Sequence, residues 1–136
     1  MNRHVLLAYQ WLIGISDTLT GAMLIVAPVF TLRLMGLHAP SDALPYLEFI
    51  GAFVLYVGLA CVYGAIAMTR RGSPCTIQAV WLLTAFTRAS VAIFVVMQIL
   101  AHTLEPGWLT VAATDGACVL IQAIGLCKGW LGNVTR

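Results

Sequence analysis

With 136 residues, 61% of them hydrophobic and only 9% charged, the chain falls far below the roughly 25% charged content of a soluble domain. The mean hydropathy of +0.96 points the same way, to an integral membrane protein. A formal net charge of +2 is too small to indicate a nucleic-acid partner, so any chemistry is expected in the bilayer, at its surfaces or in a partner.

The first apolar stretch runs from about Val5 to Ala27 and stops at Pro28. It is too long for the core of a secretory signal, and no A-x-A-like site follows it, so a retained helix is expected, with a signal anchor or signal peptide as the alternative. The next segment, Val29 to Leu37, is apolar with one arginine, Arg33, and includes Gly36. It fits a short helix at about 29–36 lying in the membrane interface, or a continuation of the first helix kinked at Pro28. A second span is expected at about 46–68, opened by Pro45 and closed by Thr69-Arg70-Arg71-Gly72. A third is expected at about 76–101, after Pro74, and a fourth at about 108–128, entered through Pro106-Gly107. Each is near the ~20 residues that cross a bilayer as a helix. Every proline sits at a boundary, where its missing N–H costs least. The sequence thus predicts an all-α fold: one transmembrane domain over residues 1–136, built as a four-helix bundle running up-down-up-down.

Orientation follows from lysine and arginine. Arg3, Arg70, Arg71, Lys128 and Arg136 fall at the termini and the middle loop, and only Arg33 falls on the other side. Both termini are therefore expected in the cytoplasm, with Asp42, Glu48 and Glu105 on the outer side. Trp108 and Trp130 fall at helix ends, as interfacial aromatic anchors do. Cys61 and Cys118 lie inside apolar runs, and Cys75 and Cys127 lie at ends assigned to the cytoplasm, so free thiols are expected.

Each predicted span carries a costly group: Asp17, Glu48, Arg88 and Asp115 in chain order. An ionised side chain at the centre of a span costs at least ~2.5–3.5 kcal/mol, which is hard to carry unless the groups meet one another. Counting 1.5 Å per residue puts Asp17 nearest in depth to Arg88, puts Asp115 within reach of a guanidinium pointing outward, and leaves Glu48 near the outer boundary. Helical spacing aligns these groups with small residues. Gln10, Gly14, Asp17 and Gly21 share one face; Glu48, Gly51, Leu55, Gly58, Val62 and Ala65 share another. Trp81, Thr84, Arg88, Val91, Val95 and Gln98 form a third face, and Asp115, Cys118, Gln122 and Gly125 a fourth. The glycines at 51 and 58 read as packing positions, with contact to another subunit as one use. Two readings of the charged cluster stand side by side. It is a structural device that fixes helix register, or its surplus acids build a proton-linked or ligand-binding pocket.

His38 and His102 fall on the outer side, where they read as solvated loop histidines or as contacts to a ligand such as a quinone head group. No histidine lies mid-span, so a haem held by this chain alone is not expected, and no metal site is expected either. No H-E-x-x-H, G-x-S-x-G or phosphate-binding glycine loop is present.

Between residues 36 and 59 the chain reads Gly36-Leu37-His38-Ala39-Pro40, then Leu47-Glu48-Phe49-Ile50-Gly51-Ala52, then Leu55-Tyr56-Val57-Gly58-Leu59. This pattern, with the four-span layout, resembles the DoxX-like small four-helix membrane proteins of bacteria. The first span departs from the resemblance, carrying Asp17 where a Gly-x-x-Lys would be expected. The resemblance implies a place in the bacterial inner (cytoplasmic) membrane and association with quinone-linked or other redox complexes, usually as a partner subunit rather than a solo enzyme. No catalytic residue carries over. The expected function is therefore an accessory or anchoring subunit of a larger membrane complex, in contact with lipid and with other membrane subunits. The alternative is a small transporter or a lipid- or quinone-binding protein whose site is the Arg88 cluster. An intramembrane enzyme is the least supported reading, since no nucleophile–base pair or metal set is visible.

Overall fold

The computed structural model describes residues 3–38, 40–70 and 72–133. Ala39, and the Arg71 and Arg136 used in the orientation argument, lie outside the described residues. Among the described residues there are five α-helices: α1 (Arg3–Val26), α2 (Pro28–Leu34), α3 (Leu44–Thr69), α4 (Pro74–Leu100) and α5 (Leu109–Cys127). Short 3-10 turns at Ser41–Ala43, Pro106–Trp108 and Trp130–Asn133 complete them, and there is no strand among the described residues. Among the described residues, three helical segments are long and apolar enough to cross a membrane: Leu44–Thr69, Pro74–Leu100 and Pro106–Cys127. Helix α1 has 24 residues, enough for about 36 Å at 1.5 Å per residue. Its Gln10, Ser16, Asp17, Thr18 and Thr20 dilute the apolar run, and it does not join those three.

The prolines act as the sequence suggests. Pro28 and Pro74 occupy the first turns of α2 and α4, where no intrahelical N–H bond is lost. The break at Pro28 separates two helices: Ala27 leaves helical geometry at φ −145°, and a new helix of 7 residues follows. Backbone bonds still bridge the break, from Ala27 N–H to Met23 O and from Thr31 N–H to Ala27 O, so few polar groups are orphaned. Helix α2 ends in a Schellman cap. Leu37 N–H donates to Leu32 O at 2.8 Å and Gly36 N–H to Arg33 O at 3.1 Å, with Gly36 at φ +70°. Helix α4 ends the same way, with Thr103 N–H on Gln98 O and His102 N–H on Ile99 O, each at 3.0 Å. There the left-handed position is taken by His102, at φ 58°.

The chain falls into two compact units, one of residues up to Ile66 and one from Ala67 onward. In the first unit α1 and α3 run antiparallel, and glycine brings their backbones together. A Cβ at Gly21 would fall 2.3 Å from the Leu55 backbone nitrogen, and one at Gly58 2.4 Å from that of Thr18. Gly14 stands against Val62, and Gly51 against Leu24. Residues 14 and 21 in α1 and 51 and 58 in α3 are each seven apart, so two glycines per helix recur on one left-handed seam. Gly51 and Gly58, for which contact with another subunit was one expectation, are taken up by α1 of the same chain.

In the second unit α4 and α5 form an antiparallel hairpin. Hydroxyls on both helices return to their own backbone: Thr84 Oγ1 donates to Val80 O, Thr87 to Leu83 O, Ser90 to Phe86 O and Thr114 to Thr110 O. That is the arrangement a helix surface without water requires.

If the glycine seam sets the α1–α3 distance, Gly58→Ala should lower stability by about 1–3 kcal/mol through overpacking. Gly116, in α5 with nothing within 4 Å of its Cβ position, is the control. Gly116→Ala should instead raise stability by about 0.5–1 kcal/mol through backbone entropy. Thermal or denaturant unfolding of the detergent-solubilised protein measures both.

Candidate functional site: a polar ladder in the α4–α5 hairpin

Helices α4 and α5 meet through rungs of decreasing bulk and increasing polarity. At the lowest rung the Trp81 indole lies over Gly125, where a Cβ would come within 2.5 Å of the ring. Trp81 is fully buried, so this glycine is what admits the ring. One turn along, Gln122 Nε2 donates to Thr84 Oγ1 at 2.9 Å, and both residues are buried. One further turn along, Arg88 Nη1 donates to Asp115 Oδ1 at 2.5 Å, with the two side chains 6% and 15% exposed. Cys118 is buried on the same face of α5 and forms no disulfide.

The spacing explains why these residues meet. Positions 81, 84 and 88 step by three and four along one face of α4. Positions 115, 118, 122 and 125 do the same along α5 in the opposite direction. The turn between the helices is short, centred near His102, so residues at equal arc distance from it face one another. Arg88 and Asp115 satisfy that condition, as do Thr84 and Gln122.

The structure therefore brings together two of the four charged residues expected in the cluster, Arg88 and Asp115. Depth counting ranks Asp17 first for Arg88 and keeps Asp115 within reach; the pair inside the hairpin is with Asp115. Asp17 is half-buried on α1, at the level where Gly58 of α3 comes closest. Glu48 is exposed near the start of α3, as expected of an interfacial residue, and so departs from the buried face that contains Gly51 and Gly58. Of the α4 face, Trp81, Thr84, Arg88 and Val95 are buried, whereas Val91 is 39% exposed.

His38 and His102 are both exposed. His102 serves the fold as the left-handed residue of the α4 cap, and with Glu105 it borders an open cavity of about 580 Å³ lined by Ile99, Leu100 and residues 102–106. His38 borders a smaller pocket beside α2. No group of three or more histidines, cysteines or acids that could hold a metal occurs among the described residues.

Sequence reasoning placed Thr84, Gln122 and Gln10 on inward faces but did not pair them. Gln10 Nε2 donates to Cys61 O at 3.0 Å, a buried side-chain bond onto the backbone of α3. The signal was available: each is a neutral amide or hydroxyl on a face shared with a charged residue and with small or apolar ones. The Oε1 atom of Gln122 is buried and accepts no hydrogen bond among the described residues.

No family model, curated protein or solved structure matches this chain.

The ladder makes unequal demands on its members. Arg88→Met leaves the Asp115 carboxylate without its cation and should destabilise by about 3–5 kcal/mol. Gln122→Met removes one hydrogen bond but also the carbonyl that lacks a donor, and should change stability by no more than about 1 kcal/mol. Unfolding of the two variants in the same detergent compares them directly.

Proposed function

We propose that this chain is a small multi-pass membrane protein that serves as an accessory or anchoring subunit of a larger membrane complex. In this reading α1 is a fourth span beside the three long apolar helices, and the bundle runs up-down-up-down with both termini in the cytoplasm. The observation that carries it is the Arg88–Asp115 pair. The costliest cation in an apolar helix is neutralised inside one hairpin, as expected of a group that fixes register rather than one that turns over a substrate. Wide exposed apolar faces support contact with lipid and neighbouring helices. On α3 alone Tyr46, Phe49, Phe53, Tyr56 and Tyr63 are each more than half exposed, at a spacing that places them on one stripe. Asp17 belongs to this proposal as a further acid on the inward face of α1. The inner membrane of a bacterium and a link to quinone or redox complexes rest on the DoxX-like resemblance of residues 36–59.

A second reading is favoured by one observation, the Gln122 carbonyl. A buried acceptor without a donor is where a small polar ligand would bind, as in a transporter or a lipid- or quinone-binding protein that uses the ladder as its site.

Tagged at its native level and run on a blue native gel in mild detergent, the chain should migrate in a complex of fixed composition. Its deletion should lower the abundance of the same partners. A monomeric band, with every membrane complex unchanged on deletion, contradicts the subunit reading. Gln122→Met gives a folded, assembled but inactive protein only under the second reading.

A further inference from the structure

A separate cluster lies at the far end of α2, and the polar ladder does not use it. Its geometry comes from the Schellman cap. By reversing the chain at Gly36, the cap lays Leu37 against Leu32, and both are buried, at 1% and 2% exposure. The following residue, His38, then borders the same pocket as Arg33, together with Val29, Leu32, Leu37 and Leu44. The pocket measures about 130 Å³. That is well above the roughly 10–15 Å³ that admits a single water, so a group larger than water, such as a tetrahedral oxyanion, has room to enter.

Two features give this pocket a chemical preference. Arg33 is the one lysine or arginine between residues 27 and 43, and its guanidinium makes no ion pair or hydrogen bond among the described residues. His38 offers a ring N–H from the same rim and is likewise without a side-chain bond among the described residues. A fork of guanidinium donors with one ring donor suits a phosphate better than a spherical anion. The rest of the lining is aliphatic, which gains nothing from a fully hydrated ion but favours an ester-linked one. Beside the pocket, Val29, Phe30 and Leu34 of α2 are 45%, 57% and 65% exposed, an apolar surface on which acyl chains can lie.

We propose that Arg33 and His38 hold the phosphate of a membrane phospholipid in this pocket. Its glycerol ester would meet Val29 and Leu44, and its chains would run along Phe30 and Leu34. The proposal rests on the reading of the chain as a membrane protein, but it is independent of the α4–α5 ladder.

The test uses the full chain, delipidated in detergent and titrated with short-chain phosphatidylglycerol, with bound lipid counted by native mass spectrometry. Inorganic phosphate and a short-chain diacylglycerol are the comparison probes. Wild type should bind phosphatidylglycerol at one saturable site. Arg33→Gln/His38→Gln should bind about tenfold or more weakly, the size of one charge-assisted hydrogen bond. Diacylglycerol should show no saturable site, and phosphate should fail to compete at concentrations comparable to the lipid. Both replaced side chains are exposed, so the variant should melt at the wild-type temperature. Equal lipid binding by the variant overturns the site, as does equal binding of diacylglycerol. Phosphate binding as tight as lipid binding replaces the lipid with a free anion and overturns the proposal as stated. Alkaline extraction of cell membranes separates this outcome from the parent reading. Release of the wild-type chain sinks the membrane assignment, whereas retention with unchanged lipid binding sinks only the Arg33–His38 site.

Discussion

A guanidinium on an inward face of an apolar helix has to be neutralised, and much of the second unit follows from that. Removing Arg88 from water costs several kilocalories per mole, more than a helix–helix hydrogen bond returns, since those average about 0.6 kcal/mol in membranes. No accumulation of weak contacts at one level can substitute for a carboxylate. Asp115 therefore fixes the register of α5 against α4 to within a fraction of a turn. The remaining rungs, Gln122 on Thr84 and Trp81 on Gly125, are compatible with that register rather than the cause of it.

The first unit solves a different problem with different chemistry. Between α1 and α3 there is no described ion pair to set the register. Close approach does that work. Four glycines at sevenfold spacing let the backbones come near enough for many weak contacts, and any added Cβ at Gly21 or Gly58 would meet backbone nitrogen at 2.3–2.4 Å. Gln10 adds one directed bond, to the Cys61 carbonyl, in a seam otherwise fixed by shape. One hairpin is thus specified mainly by charge and the other mainly by volume. Substitutions that keep size but remove charge should matter in the second unit, and those that keep polarity but add a carbon should matter in the first.

Much of this was legible in the residues. Apolar length and boundary prolines located the helices to within a few residues, because a proline at N1 loses no bond and a proline farther in would lose one. The three-and-four spacing of Gly14 and Gly21, and of Thr84 and Arg88, marked the inward faces, because only one face of each helix can be free of large side chains. The Arg88–Asp115 pairing was less legible. Depth counted from helix ends puts Asp115 within reach of Arg88 but does not pair the two. The turn does: a connection as short as 101–108 forces α5 alongside, and equal distance from His102 then selects Asp115. The Gly36 cap was visible only as a glycine ending an apolar run. The pairing of Arg33 with His38 at one pocket follows from the reversal it produces, which is a property of φ rather than of composition.

The account stands or falls on whether Arg88 and Asp115 depend on each other. A double-mutant cycle measures that dependence, using Arg88→Met, Asp115→Leu and the two combined, with unfolding free energies in one detergent. The account predicts strong coupling, with the double variant more stable than the Arg88 single variant, because removing the second charge relieves the first deletion. Additive effects, with the double variant as unstable as the sum of the singles, would contradict it.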